Sequence, residues 1–152
     1  YVSNINTDLQ TVISGDKAAI ISAIDLATSR GAKRAIPLKV AGAFHSDLMR
    51  PAADKLENYI NDLKFSNPKI PIIANCSAKP LTKTSDIKQE LIHQICNCVD
   101  WNKSVKYMIN SGVESFIEYG YGGVLGNMIK RIDSESNITS VDTTDSINTM
   151  IS

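Results

Sequence analysis

The chain has 152 residues, the length of one ordinary domain, and its 43% hydrophobic and 21% charged content supports a globular core. Sixteen Lys and Arg offset sixteen Asp and Glu, so no global field favours nucleic acid or an anionic membrane surface. Residues 133–152 hold four acids and no Lys or Arg, which leaves the rest net basic and an acidic protein partner open. No apolar run approaches the ~20 residues of a bilayer span, and no charged and apolar leader opens the chain. The expected location is therefore intracellular. Cys76, Cys96 and Cys98 lack the C-x-x-C spacing of zinc or redox motifs, so buried or idle thiols and no metal are expected. The first residue is Tyr1 rather than Met, which reads as a segment of something longer.

Strand-like sequence follows Tyr1, and the β-branched run Thr11 to Ser14 predicts a strand stopped by Gly15. Asp16 to Arg30 spaces Ile20, Ile24 and Ala27 as an amphipathic helix, with Gly31 to end it. Ala35 to Ala41 predicts another strand. Gly42 to Ser46 links it to a helix beginning near Pro51, where Met49, Ala52, Leu56, Ile60 and Leu63 form one apolar stripe. Ile72 to Ala74 predicts a buried strand, Lys79 to Ser85 a loop, and Ser85 and Asp86 the caps of a helix bearing Ile87, Leu91 and Ile95. Trp101 to Ile109 predicts a helix closed by Gly112. Ser115 to Tyr119 is a strand, Gly120 to Gly123 a turn, Val124 to Arg131 a helix, and Ile138 to Val141 a last strand before a weak helix. The alternation predicts an α/β layered fold.

Gly120-x-Gly122 between strand and helix suggests a dinucleotide turn, but position 125 is Leu, which breaks the G-x-G-x-x-G spacing. No cofactor is expected. Of the two histidines, the side chains suited to proton transfer near neutrality, His93 lies inside a predicted helix and reads as a surface or packing residue. His45 lies on a loop between strand and helix, where catalytic groups concentrate. No G-x-S-x-G nucleophile elbow accompanies it.

Asn4-x-Asn6-x-x-x-Gln10, Gly31-Ala-Lys-Arg34, Gly42-Ala-Phe-His-Ser46 with Leu48-Met49, and Pro71-Ile-Ile-Ala-Asn75 carry a resemblance in their order and spacing. So do Leu91-x-x-Gln94, Trp101-x-x-Ser104-Val, Gly120-x-Gly122-x-Val-Leu125 and Lys130-Arg131. Over about residues 1 to 133 the chain resembles the C-terminal half of malonyl-CoA:acyl-carrier-protein transacylases of fatty-acid synthesis. It departs from their usual pattern at Asp8, where Pro is frequent, and at Tyr121, where Gly-Pro-Gly is usual.

The resemblance implies that residues 1–41 complete a ferredoxin-like small subdomain and residues 42–152 belong to an α/β-hydrolase-like large subdomain. It implies a missing N-terminal half with the nucleophilic serine, so this chain alone is expected to be inactive. The expected reaction moves a malonyl group from malonyl-CoA to the phosphopantetheine arm of the acyl carrier protein by a Ser/His ping-pong mechanism. His45 is then the general base and Gln94 supplies the main-chain carbonyl that orients it. Asn4, Asn6 and Gln10 are expected either to bind the pantetheine arm or to cap turns, and Lys33 and Arg34 either to meet the carrier or to be a solvated helix end. Phe44 is a candidate for substrate contact, because the similar polyketide-synthase acyltransferases pair Ala-Phe-His with malonyl units and Ala-Ser-His with methylmalonyl. The implied location is cytoplasmic, or an organelle stroma or matrix if an upstream transit peptide exists. The alternatives are a non-catalytic carrier-binding half-domain and a serine hydrolase or thioesterase.

Overall fold

Strand β1 (Val2–Thr7) turns back on β2 (Gln10–Ile13) as an antiparallel hairpin whose register slips twice. The computed structural model describes residues 1–151. Thr7 Oγ1 accepts the Leu9 N–H at 3.2 Å inside the turn, and Asp8 is held from outside by Asn102 Nδ2 at 2.7 Å and Lys106 Nζ at 2.8 Å. An ion pair therefore fixes the turn that proline would otherwise stiffen. Helix α1 (Lys17–Ser29) starts where the Asp16 carboxylate accepts the Ala18 N–H at 2.9 Å, a side-chain cap for an otherwise unpaired amide. Gly31, at φ +90°, ends it in a conformation only glycine enters freely.

The strand expected over Ala35 to Ala41 is absent, and the segment runs irregular and largely exposed. Its composition suits a strand, but no neighbouring segment offers it a ladder. A 3-10 turn (Asp47–Met49) then leads into α2 (Arg50–Asp62), with Pro51 in the first turn and Ala53 and Ile60 buried. Strand β3 (Ile72–Ile73) pairs antiparallel with β4 (Pro80–Leu81), so the expected Lys79 to Ser85 loop contains a short strand. Helix α3 (Thr84–His93) begins one residue before the expected caps. Asn67 Oδ1 takes the Thr84 N–H at 2.9 Å and its hydroxyl at 2.8 Å, so a residue remote in sequence caps the helix while Ser85 and Asp86 sit in its first turn.

Helix α4 (Trp101–Asn110) is capped by Asp100, which accepts the Lys103 N–H at 3.0 Å, and it buries Ser104 and Val105. Strand β5 (Ser115–Tyr119), α5 (Val124–Ile132) and β6 (Asn137–Val141) form a parallel β-α-β unit, followed by α6 (Thr144–Ile151). Helices and strands alternate, so the architecture is mixed α/β. Buried Ala53, Ile60, Ala74, Cys96, Val105 and Ile129 mark the core. Through it, β1 bonds to Val99 on both sides, with Ile5 N to Val99 O and Val99 N to Ser3 O each at 2.9 Å, and Asp100 N reaches Asn75 O at 2.8 Å. Among the described residues, no helix is long and apolar enough to cross a membrane.

Candidate active site

The Gly42 to Ser46 loop is pinned on three sides. Ser14 Oγ donates to Phe44 O at 2.8 Å, Ser46 Oγ donates to Ala43 O at 2.6 Å, and His45 N donates to Ile95 O at 2.9 Å. Ser46 is fully buried, so the loop is anchored by the residue that follows the histidine. His45 itself is half-buried and has φ +62°.

Its ring meets the end of α3, with Nδ1 2.5 Å from the main-chain oxygen of Gln94. A carbonyl oxygen only accepts, so Nδ1 carries the proton and Nε2 keeps its lone pair in the neutral ring. The arrangement presents a base whose tautomer is fixed by a dipole rather than by a carboxylate. Gln94 lies 49 residues from His45, and its own side chain is bonded by Asn75 Nδ2 at 2.7 Å.

Phe44 is 51% exposed, its ring against Gly42, where an added Cβ would fall 3.3 Å from the ring. Asn4 bridges to Val99 through the backbone. Among the described residues the Asn4 and Asn6 side chains make no hydrogen bond. Gln10 Oε1 instead accepts from Arg131 Nη1 at 3.4 Å. Thr7 and Asp8 carry the side-chain hydrogen bonds of the β1–β2 turn. No hydrogen bond joins Asn4, Asn6 or Gln10 to His45. Lys33 and Arg34 are exposed beyond the end of α1.

His93 is the last residue of α3 and is exposed, its carbonyl taken by Cys96 N–H and Asn97 Nδ2. Burial, followed by the nearby Glu90 carboxylate, pushes the Cys76 thiol up to about 12. Burial also raises Cys98, so neither is a ready thiolate at neutral pH. Among the described residues no group of three His, Cys, Asp or Glu converges as a metal site. An open groove of about 600 Å³, lined by Ile13, Ala19, Ile20, Ala23 and Leu48, lies between β2 and α1.

Sequence reasoning missed Asn75 and Glu118. Glu118 on β5 accepts the Leu125 N–H at 3.0 Å and the Gly126 N–H at 2.8 Å, the first-turn amides of α5 that a dinucleotide phosphate would need. A carboxylate one strand before the glycine turn was the available signal. For Asn75 the signals were its place at a strand end and in the Pro71 to Asn75 motif.

No family model matches the chain. It is 42% identical over 132 residues to the malonyl CoA-acyl carrier protein transacylase of Bacillus subtilis, an alignment spanning 87% of this chain and 42% of that protein. An acyl carrier protein S-malonyltransferase from Vibrio cholerae superposes with TM-score 0.93 at 38% identity, covering 99% of this chain and 49% of the other. A malonyl-transacylase solved in complex with its type II PKS acyl carrier protein matches at TM-score 0.93 and 36% identity, over 97% and 48% of the two chains. The chain spans about half the length of the relatives it matches. Along that half it is a homologue of the malonyl CoA-acyl carrier protein transacylases.

Proposed function

We propose that this chain is the C-terminal half of a malonyl-CoA:acyl-carrier-protein transacylase and supplies its general base, His45. The observation that carries the reading is the contact between His45 Nδ1 and the Gln94 main-chain oxygen, which leaves Nε2 as the acceptor. The nucleophilic serine comes from the other half of the enzyme. Its hydroxyl oxygen attacks the malonyl thioester carbonyl while Nε2 takes the hydroxyl proton. The C–S bond then breaks, and the same nitrogen returns the proton to the departing CoA thiolate. The reverse sequence delivers malonyl to the pantetheine thiol of the carrier protein. Proton transfer and a covalent intermediate divide one difficult exchange into two easier ones.

In this reading residues 1–41 belong to a ferredoxin-like small subdomain and residues 42–152 to an α/β-hydrolase-like large one. Support comes from β5 and β6, since a parallel sheet is ordinarily covered on both faces and here Ile117 and Tyr119 are exposed. Asn4 and Asn6 have side-chain groups to offer the pantetheine arm. Lys33 and Arg34 would meet an acidic carrier, where rim charges mainly raise the association rate.

The test uses the full-length enzyme that carries this segment. His45→Ala lowers malonyl transfer by at least ~10²-fold, the low end for a positioned general base, while His93→Ala changes it little. The 152-residue chain alone acquires no label from radioactive malonyl-CoA. Equal losses for the two histidine variants, or stable labelling of a serine within this chain, would overturn the reading.

A further inference from the structure

The carbonyl that holds His45 sits at the frayable end of a helix, and the structure shows what steadies it. Gln94 follows the last residue of α3, where main-chain carbonyls lose their intrahelical partners and the final turn loosens. The Asn75–Cys76 corner, just after β3, grips this end through side chains of the helix. Asn75 Nδ2 donates to Gln94 Oε1 at 2.7 Å, and Cys76 N donates to Glu90 Oε1 at 2.8 Å, one helical turn earlier. The corner is itself anchored, because Asn75 O accepts the Asp100 N–H at 2.8 Å and Val99 is bonded into β1. A chain of bonds therefore runs from β1 through Val99, Asp100, Asn75 and Gln94 to the imidazole.

We infer that Asn75 is a positioning residue for His45, acting through the Gln94 side chain to fix the carbonyl that holds the Nδ1 proton; the inference rests on the transacylase reading of His45. Asn75 is exposed, so its truncation removes little packing and separates placement from folding. Loss of the bond lets Gln94 O drift, the ring samples the other tautomer, and the fraction of enzyme with a free Nε2 lone pair falls. Substrate contacts are untouched. The loss belongs in kcat rather than KM.

The experiment compares variants of the full-length enzyme. Asn75→Ala lowers kcat about 10-fold, the scale of a small misplacement of a catalytic group, with KM within about 2-fold and an unchanged thermal midpoint. Asn75→Asp recovers most of the loss, because the Gln94 amide rotates and donates instead. Gln94→Ala, which keeps the main-chain oxygen, reproduces the loss, and the double variant is no slower than the slower single one, as expected for two groups acting as a unit. Imidazole ¹⁵N spectra show His45 as the Nδ1–H tautomer in the parent and as a mixture in Asn75→Ala. A folded Asn75→Ala with unchanged kcat and tautomer overturns the inference, as does full additivity with Gln94→Ala. If Asn75→Ala does not fold, Gln94→Ala alone decides by the same kcat and tautomer readings. Activity retained in His45→Ala would sink the transacylase reading itself, a result distinct from an inactive His45→Ala beside an unaffected Asn75→Ala.

Discussion

At His45 the backbone enters the left-handed region, φ +62°, which costs a non-glycine residue about 1–2 kcal/mol. The hydrogen bonds from Ser14, His45 and Ser46 offset that strain and aim the ring at α3. Strain of this kind persists only where the surroundings over-determine it. The sequence showed His45 as a loop histidine between a strand and a helix. Its partner Gln94, 49 residues away, was visible only through the family resemblance, since no local spacing encodes a contact between a loop and the end of a later helix. Asn75 stood in one of the motifs that carry the resemblance, but its bond to Gln94 was invisible, because an asparagine ending a strand is ordinarily read as a turn former. Within this chain Phe44 is half exposed, so truncating it here should cost less than the ~3 kcal/mol of a buried aromatic. Its ring lies against Gly42, one residue from His45 in the chain. In the full-length enzyme Phe44→Ser should narrow the malonyl over methylmalonyl ratio of specificity constants by ~10-fold or more, the value of about one methyl group in a pocket. Both constants and the melting temperature measured on one preparation check this, and an unchanged ratio in a stable variant removes Phe44 from specificity.

Elements whose signals are local were legible. The boundaries of β5 and α1 follow from β-branched or helical spacing and from Asp16 and Gly31. The strand expected at Ala35 to Ala41 failed because pairing is not local: Ile36, Leu38 and Val40 are 67%, 59% and 66% exposed, with no ladder beside them. The glycine turn before α5 was read correctly as a turn, and Gly120 at φ +133° and Gly122 at φ +105° take conformations that other residues rarely adopt. Gly126 has a different reason. A Cβ there would lie 2.6 Å from Ile138 Cγ2 and 3.1 Å from Glu118 Oε2, so α5 rests on β6 with no room for a methyl group. Because Ile138 is branched at that point, it cannot swing aside. Gly126→Ala should destabilise the fold by about 1–3 kcal/mol, the usual cost of overpacking. A urea midpoint equal to the parent's would show that α5 does not pack that closely.

For the whole molecule, long-range polar contacts hold the hairpin onto the helices. Asp8 meets Lys106 and Asn102, and the Lys106 bond, with help from Asn102, holds its carboxyl below the usual range. The Ser136 hydroxyl does the same for Asp133. A depressed carboxylate contributes stability that is fully present above the unfolded value, about 3.9, and is lost as pH falls through the folded value. The urea midpoint should therefore decline below about pH 4, and Asp8→Asn should flatten part of that decline while leaving it unchanged in form above. An acid limb identical in parent and Asp8→Asn would show that the pair with Lys106 is too solvated to matter. The same contact also has a consequence for biosynthesis. Asp8 and Lys106 are 98 residues apart, and at a ribosomal rate of about 5–20 residues per second the hairpin turn waits about 5–20 s for its partner to be made. Gln10 waits longer still for Arg131, 121 residues on. Within this segment the β1–β2 turn is thus secured late, and a chaperone acting on the nascent chain would find a long-lived target in residues 1–15.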